Sequence, residues 1–321
     1  MRKKTVIFLA AILVLLLLGG CGSEEGLVAE FSDDKMEGME HLYAGNEYGY
    51  YFDVYSEISK DKPRNGIMEM EKCSDDLYFM IENAGMERKM AVQVFIDYVQ
   101  VPILVDGQEY FTYMVDTDEH FSETFCFRLR DKISESVNHK ATVAMTAYAD
   151  KNEMDAEDEV TVDSRSLAYD MILVFDEENE LATDTLYDYE EARELYKDMY
   201  SGLIINTDME EFKRKSPPRS LEVKPGEKIK LSYHTGGFDD CQEVLVILSL
   251  GMEQIPVNGQ NFIKCKVGEG NLFNGILEIT APEEEGRYDL TGWVIKDPFS
   301  EFAGELVPLC DMPRFTIDVC E

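Results

Sequence analysis

The stretch KMAVQVFIDYVQVPILVDGQEYFTYMV, residues 89–115, limits the fold more than any other part of the chain. Met90, Val92, Val94, Ile96 and Tyr98 alternate with Ala91, Gln93, Phe95 and Asp97. A period of two belongs to a β-strand, and the second set is expected on a wetter face. Asp106-Gly107 then separates two β-rich runs. Both central residues of a type I′ turn need positive φ, so Asp-Gly marks a tight hairpin.

The same signs recur along the chain. Strands are expected over 76–83, ending at a turn around Ala84-Gly85, and over 123–129, 141–148 and 167–175. Beyond Ser220, LEV-KPGE-KIKLSY carries Pro225-Gly226 at the centre of a type II turn, and IPV-NG-QNFIKCKV carries an Asn-Gly hairpin at Asn258-Gly259. EVLVILSL is an unbroken apolar run, which fits a strand buried on both sides. Residues 186–200, LYDYEEARELYKDMY, instead show apolar positions three and four apart. That spacing predicts one connecting helix, with Asp184 as N-cap and Gly202 as stop. Pro217-Pro218 follows as a linker signal. The fold class expected is mainly β, with two antiparallel β-sandwich domains joined by that helix. The boundaries are 46–180 for the first sandwich, 181–218 for helix and linker, and 219–321 for the second. No fixed-period repeat is evident.

The N-terminus carries a different message. Arg2, Lys3 and Lys4 precede an uninterrupted apolar run from Val6 to Leu18. A helix that crosses a bilayer needs about 20 such residues, so the run is short for a span and suits the core of a secretory signal peptide. Leu18-Gly19-Gly20-Cys21 closes it. These four residues resemble the lipobox of bacterial lipoproteins. The resemblance implies that residues 1–20 are a signal peptide and that Cys21 is the lipidation site, its thiol carrying a diacylglycerol (palmitate-type acyl chains). It further implies a protein held at the cell membrane and facing outside the cytoplasm. Two or more acyl chains hold a protein on a bilayer, whereas one is marginal. Residues 21–45, polar and acidic, read as a flexible tether.

Near the C-terminus, Glu285-Gly286-Arg287-Tyr288-Asp289-Leu290 resembles the tyrosine corner of immunoglobulin-like domains. Antibody domains place a cysteine two residues after that tyrosine. Leu290 stands there instead, and the single tryptophan, Trp293, lies on this strand rather than on an earlier one. The resemblance implies an Ig-like second sandwich without the antibody disulfide.

Charge excludes one class of partner. Three of the 30 basic residues and none of the 65 acidic ones precede residue 21, so the remainder carries a formal −38. Nucleic acid needs a basic footprint and is not an expected partner. The cysteines besides Cys21 are Cys73, Cys126, Cys241, Cys265, Cys310 and Cys320, with no metal-type spacing. Cys265 falls in a buried phase and Cys320 in an exposed one.

Catalytic patterns are missing. None of His41, His120, His139 and His234 belongs to an HExxH, and neither GxSxG nor a Gly-rich phosphate loop occurs. No cofactor or catalytic residue is assigned. Asp116-Thr117-Asp118-Glu119-His120 offers alternating ligand atoms, and Asp150 to Asp155 starts like a calcium loop. Met154 occupies a ligand position in the second and no glycine follows, so both read as solvated acids and no metal site is assigned. Tyrosines are the candidate binding residues. Tyr43, Tyr48, Tyr50, Tyr51 and Tyr55 crowd YAGNEYGYYFDVY, and Tyr110 and Tyr113 follow the Asp-Gly turn. Exposed rings stack on sugars or anchor proteins, although alternating aromatics more often pack a core. The expectation is a non-enzymatic surface lipoprotein that binds a protein or glycan. The alternatives are a secreted hydrolase or peptidase with dispersed residues, and the substrate-binding lipoprotein of a transporter.

Overall fold

A computed structural model describes residues 49–60, 66–152, 166–182, 188–197, 200–207, 220–300, 310–311 and 314–321. Cys21, the signal and tether segments and Pro217-Pro218 lie outside the described residues. All regular structure among the described residues is β, arranged as four sheets.

The first outer sheet joins β1 (Gly49–Ser56), β3 (Leu77–Ala84), β9 (His120–Leu129), β6 (Ile103–Val105) and β7 (Gln108–Tyr110) in that order. The first inner sheet runs β2 (Ile67–Glu69), β11 (Ser166–Val174), β10 (His139–Ala147) and β4 (Arg88–Ile96), with β5 (Val99–Gln100) and β8 (Thr112–Thr117) both on β4. The second inner sheet runs β12 (Tyr189–Glu190), β19 (Ile263–Lys266), β17 (Glu243–Leu250), β21 (Gly286–Lys296), β23 (Phe315–Val319) and β15 (Ser220–Val223). β18 (Glu253–Gln254) adds to β17, and β22 (Cys310–Asp311) to β21. The second outer sheet joins β13 (Glu194–Lys197), β20 (Asn271–Thr280), β16 (Lys228–Gly236) and β14 (Gly202–Asn206).

The turn residues do what their chemistry dictates. Asp106 and Gly107 have φ of 50° and 78° and close the β6–β7 hairpin. Asn258 and Gly259, at 53° and 79°, sit inside the Val257–Gln260 bridge. Gly226 takes φ 67° after Pro225, and Glu227 N–H donates to the Lys224 carbonyl at 3.1 Å.

Each inner sheet is buried on both faces. Met90, Val92, Val94 and Ile96 of β4 face the first outer sheet, while Phe95 of the same strand packs toward the second sandwich. The expected wetter face of β4 is therefore dry, because a whole second sandwich covers it; Ala91, Gln93 and Phe95 have no exposure. β17 fulfils its apolar pattern. Val244, Val246, Leu248 and Leu250 fill the second core, and Leu245 and Ile247 face the first sandwich. The result is four stacked sheets with three apolar interlayers.

The two halves repeat one topology. In each, a first strand pairs with a second, the second with a long later one (β1–β3–β9 and β14–β16–β20), and a short strand runs parallel to the last (β2 with β11, β15 with β23). β3 and β16 begin at 77 and 228, β9 and β20 at 120 and 271, the same 151 residues apart. This arrangement is Ig-like. The tyrosine corner is formed as well: the Tyr288 hydroxyl donates to the Glu284 carbonyl at 3.2 Å. Leu290 takes the core position beside it, and Trp293 faces the seam between sandwiches.

The expected helix over 186–200 is corrected. Tyr189–Glu190 pairs parallel with Lys264–Cys265, and Glu194–Lys197 pairs antiparallel with Asn271–Asn274. Both residue groups, on the connection between the two sandwiches, extend edges of the second one. A helix of ~15 residues is marginal in water, and sheet edges with unmet hydrogen bonds outcompete it. Side chains reinforce the choice: the Tyr189 ring lies 4.9 Å from Lys264 Nζ and 4.5 Å from Lys266 Nζ.

Polar bonds fix the seam. Tyr98 sits at φ 68° in the Asp97-Tyr98 turn, its ring edge-on to Phe262 and Phe299, and its hydroxyl donates to the Pro298 carbonyl. Gln100 N–H donates to Gln254 Oε1 and Gln254 N–H to Gln100 Oε1, both at 2.6 Å. Gln93 Nε2 donates to the Met252 carbonyl at 2.9 Å and to Ser249 Oγ at 3.2 Å. Beside them a fully buried ion pair joins Lys140 Nζ and Asp170 Oδ2 at 3.3 Å. Burial raises the Asp170 pKa, while Lys140 and the Thr142 hydroxyl pull it back. Lys140→Met leaves that carboxylate buried and uncompensated, and should cost about 3–5 kcal/mol in denaturant unfolding. Lys140→Met with Asp170→Leu should recover most of this, because no lone charge remains. A single variant costing under about 1 kcal/mol would remove the pair from the stability account.

Candidate functional site

The tyrosines singled out in the sequence divide by strand alternation. Phe52 and Val54 point into the first core and Tyr50 packs against it, so Tyr51 and Tyr55 of β1 point outward. Leu77, Phe79 and Ile81 of β3 also point inward, which leaves Tyr78 and Met80 on the outer face. Register sets Tyr55 opposite Tyr78 and Tyr78 opposite Cys126. The Tyr55 and Tyr78 rings stack, with centroids 5.4 Å apart and planes 16° apart. Tyr43 and Tyr48 lie outside the described residues.

On this face the phenol and the thiol are kept protonated beside ionised carboxylates. Burial and the Glu57 carboxylate push the Tyr78 hydroxyl up to about 12. Burial and the Asp76 charge raise the Cys126 thiol, and Arg128 holds Asp76 low. A thiol kept protonated is a poor nucleophile. The face therefore suits contact rather than covalent chemistry.

A second surface lies where the chain crosses from the first outer to the first inner sheet. β7 ends at Tyr110, Phe111 makes the bend, and β8 begins at Thr112. Tyr110 and Tyr113 plug the corner in an edge-to-face pair, with centroids 5.1 Å apart. Phe111 and Met114 stand outside it, exposed to 50% and 42%. Sequence reasoning found the two tyrosines and missed these two. The available signal was Phe111 itself, an aromatic that interrupts the alternation at a sheet-to-sheet crossing. Around the corner, Asp106, Glu109, Asp116, Asp118 and Glu119 are exposed acids. The nearby cations are already engaged: Lys89 with Asp116 at 3.3 Å and Arg130 with Glu109 at 3.1 Å.

Several other titratable groups hold the backbone or neighbouring strands in place. Asp118 Oδ1 accepts from His120 N–H at 2.9 Å. Arg314 donates to the Tyr148 and Lys151 carbonyls at 3.0 and 3.1 Å, crossing between sandwiches. Cys265 is buried and Cys320 exposed, as their phases suggested; Cys73, Cys126, Cys241, Cys265 and Cys320 are free thiols. His139 and Asp97 pair at 2.6 Å, and His234 lies between Tyr196 and Asn274, with its Nδ1 2.6 Å from the Tyr196 hydroxyl.

No protein-family model and no curated protein matches the sequence. Among solved structures, the chain is similar to the fibronectin(III)-like modules of Clostridium thermocellum CbhA, at 8% identity over 84% of this chain and 94% of that one, with a TM-score of 0.20. It is similar to the C-terminal domain of the Streptococcus agalactiae AgI/II polypeptide BspA, at 9% identity over 84% and 100%, with a TM-score of 0.22. Red sea bream transglutaminase aligns at 12% identity over 86% of this chain and 31% of that one, with a TM-score of 0.20. Likeness this slight carries no functional argument, and the fold class rests on the strand order and register.

The histidines titrate in opposite directions. Burial lowers His234 to about 4, so the fold favours its neutral form. Its contribution to stability is full above the unfolded value near ~6.5 and is lost as pH falls toward about 4. Burial also disfavours charge on His139, but Asp97 and the Ser134 carbonyl outweigh it and raise its pKa. That contribution is present below ~6.5 and is lost as pH rises through the raised value. Imidazole proton NMR should show one midpoint on each side of ~6.5. Coincident midpoints would contradict the two geometries.

Proposed function

We propose that this chain is a non-enzymatic binding protein held at the outer side of the cell membrane by acyl chains on Cys21. Residues 1–20 are its signal peptide and residues 21–45 its tether, and the partner is a protein or glycan. The observation that carries the binding reading is the open corner. Phe111 and Met114 face solvent three residues apart beside an acidic rim, whereas the other exposed large apolar side chains among the described residues, Ile58, Ile67 and Leu195, lie on other segments. Exposed apolar side chains with a polar rim mark contact sites. The engaged His139 and His234 and the protonated Cys126 thiol support contact over catalysis.

The anchor and the binding reading have separate tests. Mass spectrometry of the membrane fraction should find a lipid-modified Cys21 at the mature terminus, and Cys21→Ala should release the protein. Unchanged retention in the variant would overturn the anchor. The soluble part, applied to glycan, peptidoglycan and protein arrays, should bind one class. Phe111→Ser with Met114→Ser should weaken that signal by about tenfold or more while thermal stability holds. A signal indifferent to both substitutions would move the site elsewhere.

A further inference from the structure

The two halves differ at one equivalent position. In the second sandwich, β19 pairs antiparallel with the start of β17, Glu243 opposite Lys266. In the first, β8 holds the same place on β4, Arg88 opposite Thr117. The outer edge of β19 is covered by the chain itself, since β12 adds to it in parallel. The outer edge of β8 has no such cover: among the described residues β8 pairs with β4 alone. At six residues it is also longer than β2, the three-residue strand at the far edge of the same sheet.

Natural sheets blunt an exposed edge with charged side chains, above all lysine, or with proline, a bulge or a covering segment. The β8 sequence TYMVDT contains neither proline nor lysine, its one charge, Asp116, is paired with Lys89 of β4 at 3.3 Å, and its register on β4 runs through six residues without a bulge. Met114 projects beside it, half-exposed, with Phe111 at its start. Such an edge invites another strand.

The covered edge indicates what kind. β12 comes from LYDYEEA, an acidic and aromatic segment, and it lies on a strand that presents Lys264 and Lys266. Attraction between the edge and its cover is therefore already used in this fold. At β8 the signs are reversed. The edge and its neighbouring loops carry Asp106, Glu109, Asp116, Asp118 and Glu119. We propose that the free edge of β8 takes an extended, lysine- or arginine-rich segment of a protein partner as an added strand, in the place that β12 fills on β19. Main-chain hydrogen bonds to β8 supply affinity, Phe111 and Met114 receive its apolar side chains, and the acids select its charge. This rests on the binding reading above and narrows its partner to a protein.

The test uses the mature chain without its lipid and a short peptide of alternating lysine and valine, with a glutamate–valine peptide of equal length as control. Amide hydrogen exchange across 112–117 should slow by about tenfold or more with the basic peptide only, and the effect should weaken with added salt. Met114→Lys, at an exposed position, should cut that protection by about tenfold with the thermal midpoint unchanged. Protection centred on the Tyr55–Tyr78 face, or equal protection by the acidic peptide, would overturn the proposal. So would slowing of the same amides by self-association in the absence of peptide. An array signal without β8 protection would sink the added strand and leave the wider binding reading intact. Protection combined with exclusive glycan capture on the arrays would also count against it, because the partner would then not be a protein.

Discussion

Everything in this molecule depends on the seam between its two inner sheets. Burying both faces of β4, β10, β17 and β21 removes from water residues that one sandwich alone would leave wet. Such a surface favours apolar or hydrogen-bonded groups, because an unpaired buried polar group costs at least about as much as a good hydrogen bond returns. Gln100 and Gln254 bond across it to the opposite half, as does the Gln93 amide nitrogen, while Gln93 Oε1 and Trp293 Nε1 stay buried without a hydrogen-bond partner among the described residues. Tyr98 bonds across it from a left-handed backbone conformation that a non-glycine residue avoids unless its surroundings hold it there. The seam is thus specific in register as well as apolar in content.

The seam is nearly symmetric, and the symmetry makes its exceptions informative. Gln100 and Gln254 occupy matching places just after matching turns, Asp97-Tyr98 and Gly251-Met252, all at positive φ. At the sheet edges the match fails. One copy closes its edge with a segment from the connection between halves, and the other, among the described residues, leaves its edge unpaired and two apolar side chains exposed. A difference of that kind between related halves is where a binding role is best placed, since the scaffold is held constant around it.

Much of this was legible in the residues. Period two, Asp106-Gly107, Pro225-Gly226 and Asn258-Gly259 locate strands and turns because their physics is local. The unbroken run in β17 announced two-sided burial. β4 did not announce it, because Ala91, Gln93 and Phe95 compose a face that serves equally for solvent or for a partner with the right acceptors. Residues 186–200 misled for a related reason: their spacing satisfies a helix, and only distant edges at β19 and β20 decide otherwise. The repeat escaped notice because topology is shared while the residues are not. Of the candidate site, Tyr110 and Tyr113 were visible, but Phe111 and Met114 needed the crossing between sheets to become surface.

The seam joins two parts of one polypeptide, and that bears on how the paired state survives in dilution. Association between separate subunits fades as their number falls. Here the partners are never more than a connecting segment apart, so their encounter is first order and set by an effective concentration of the chain's own making. Even a solitary copy at low abundance would hold together as the complete four-layer block.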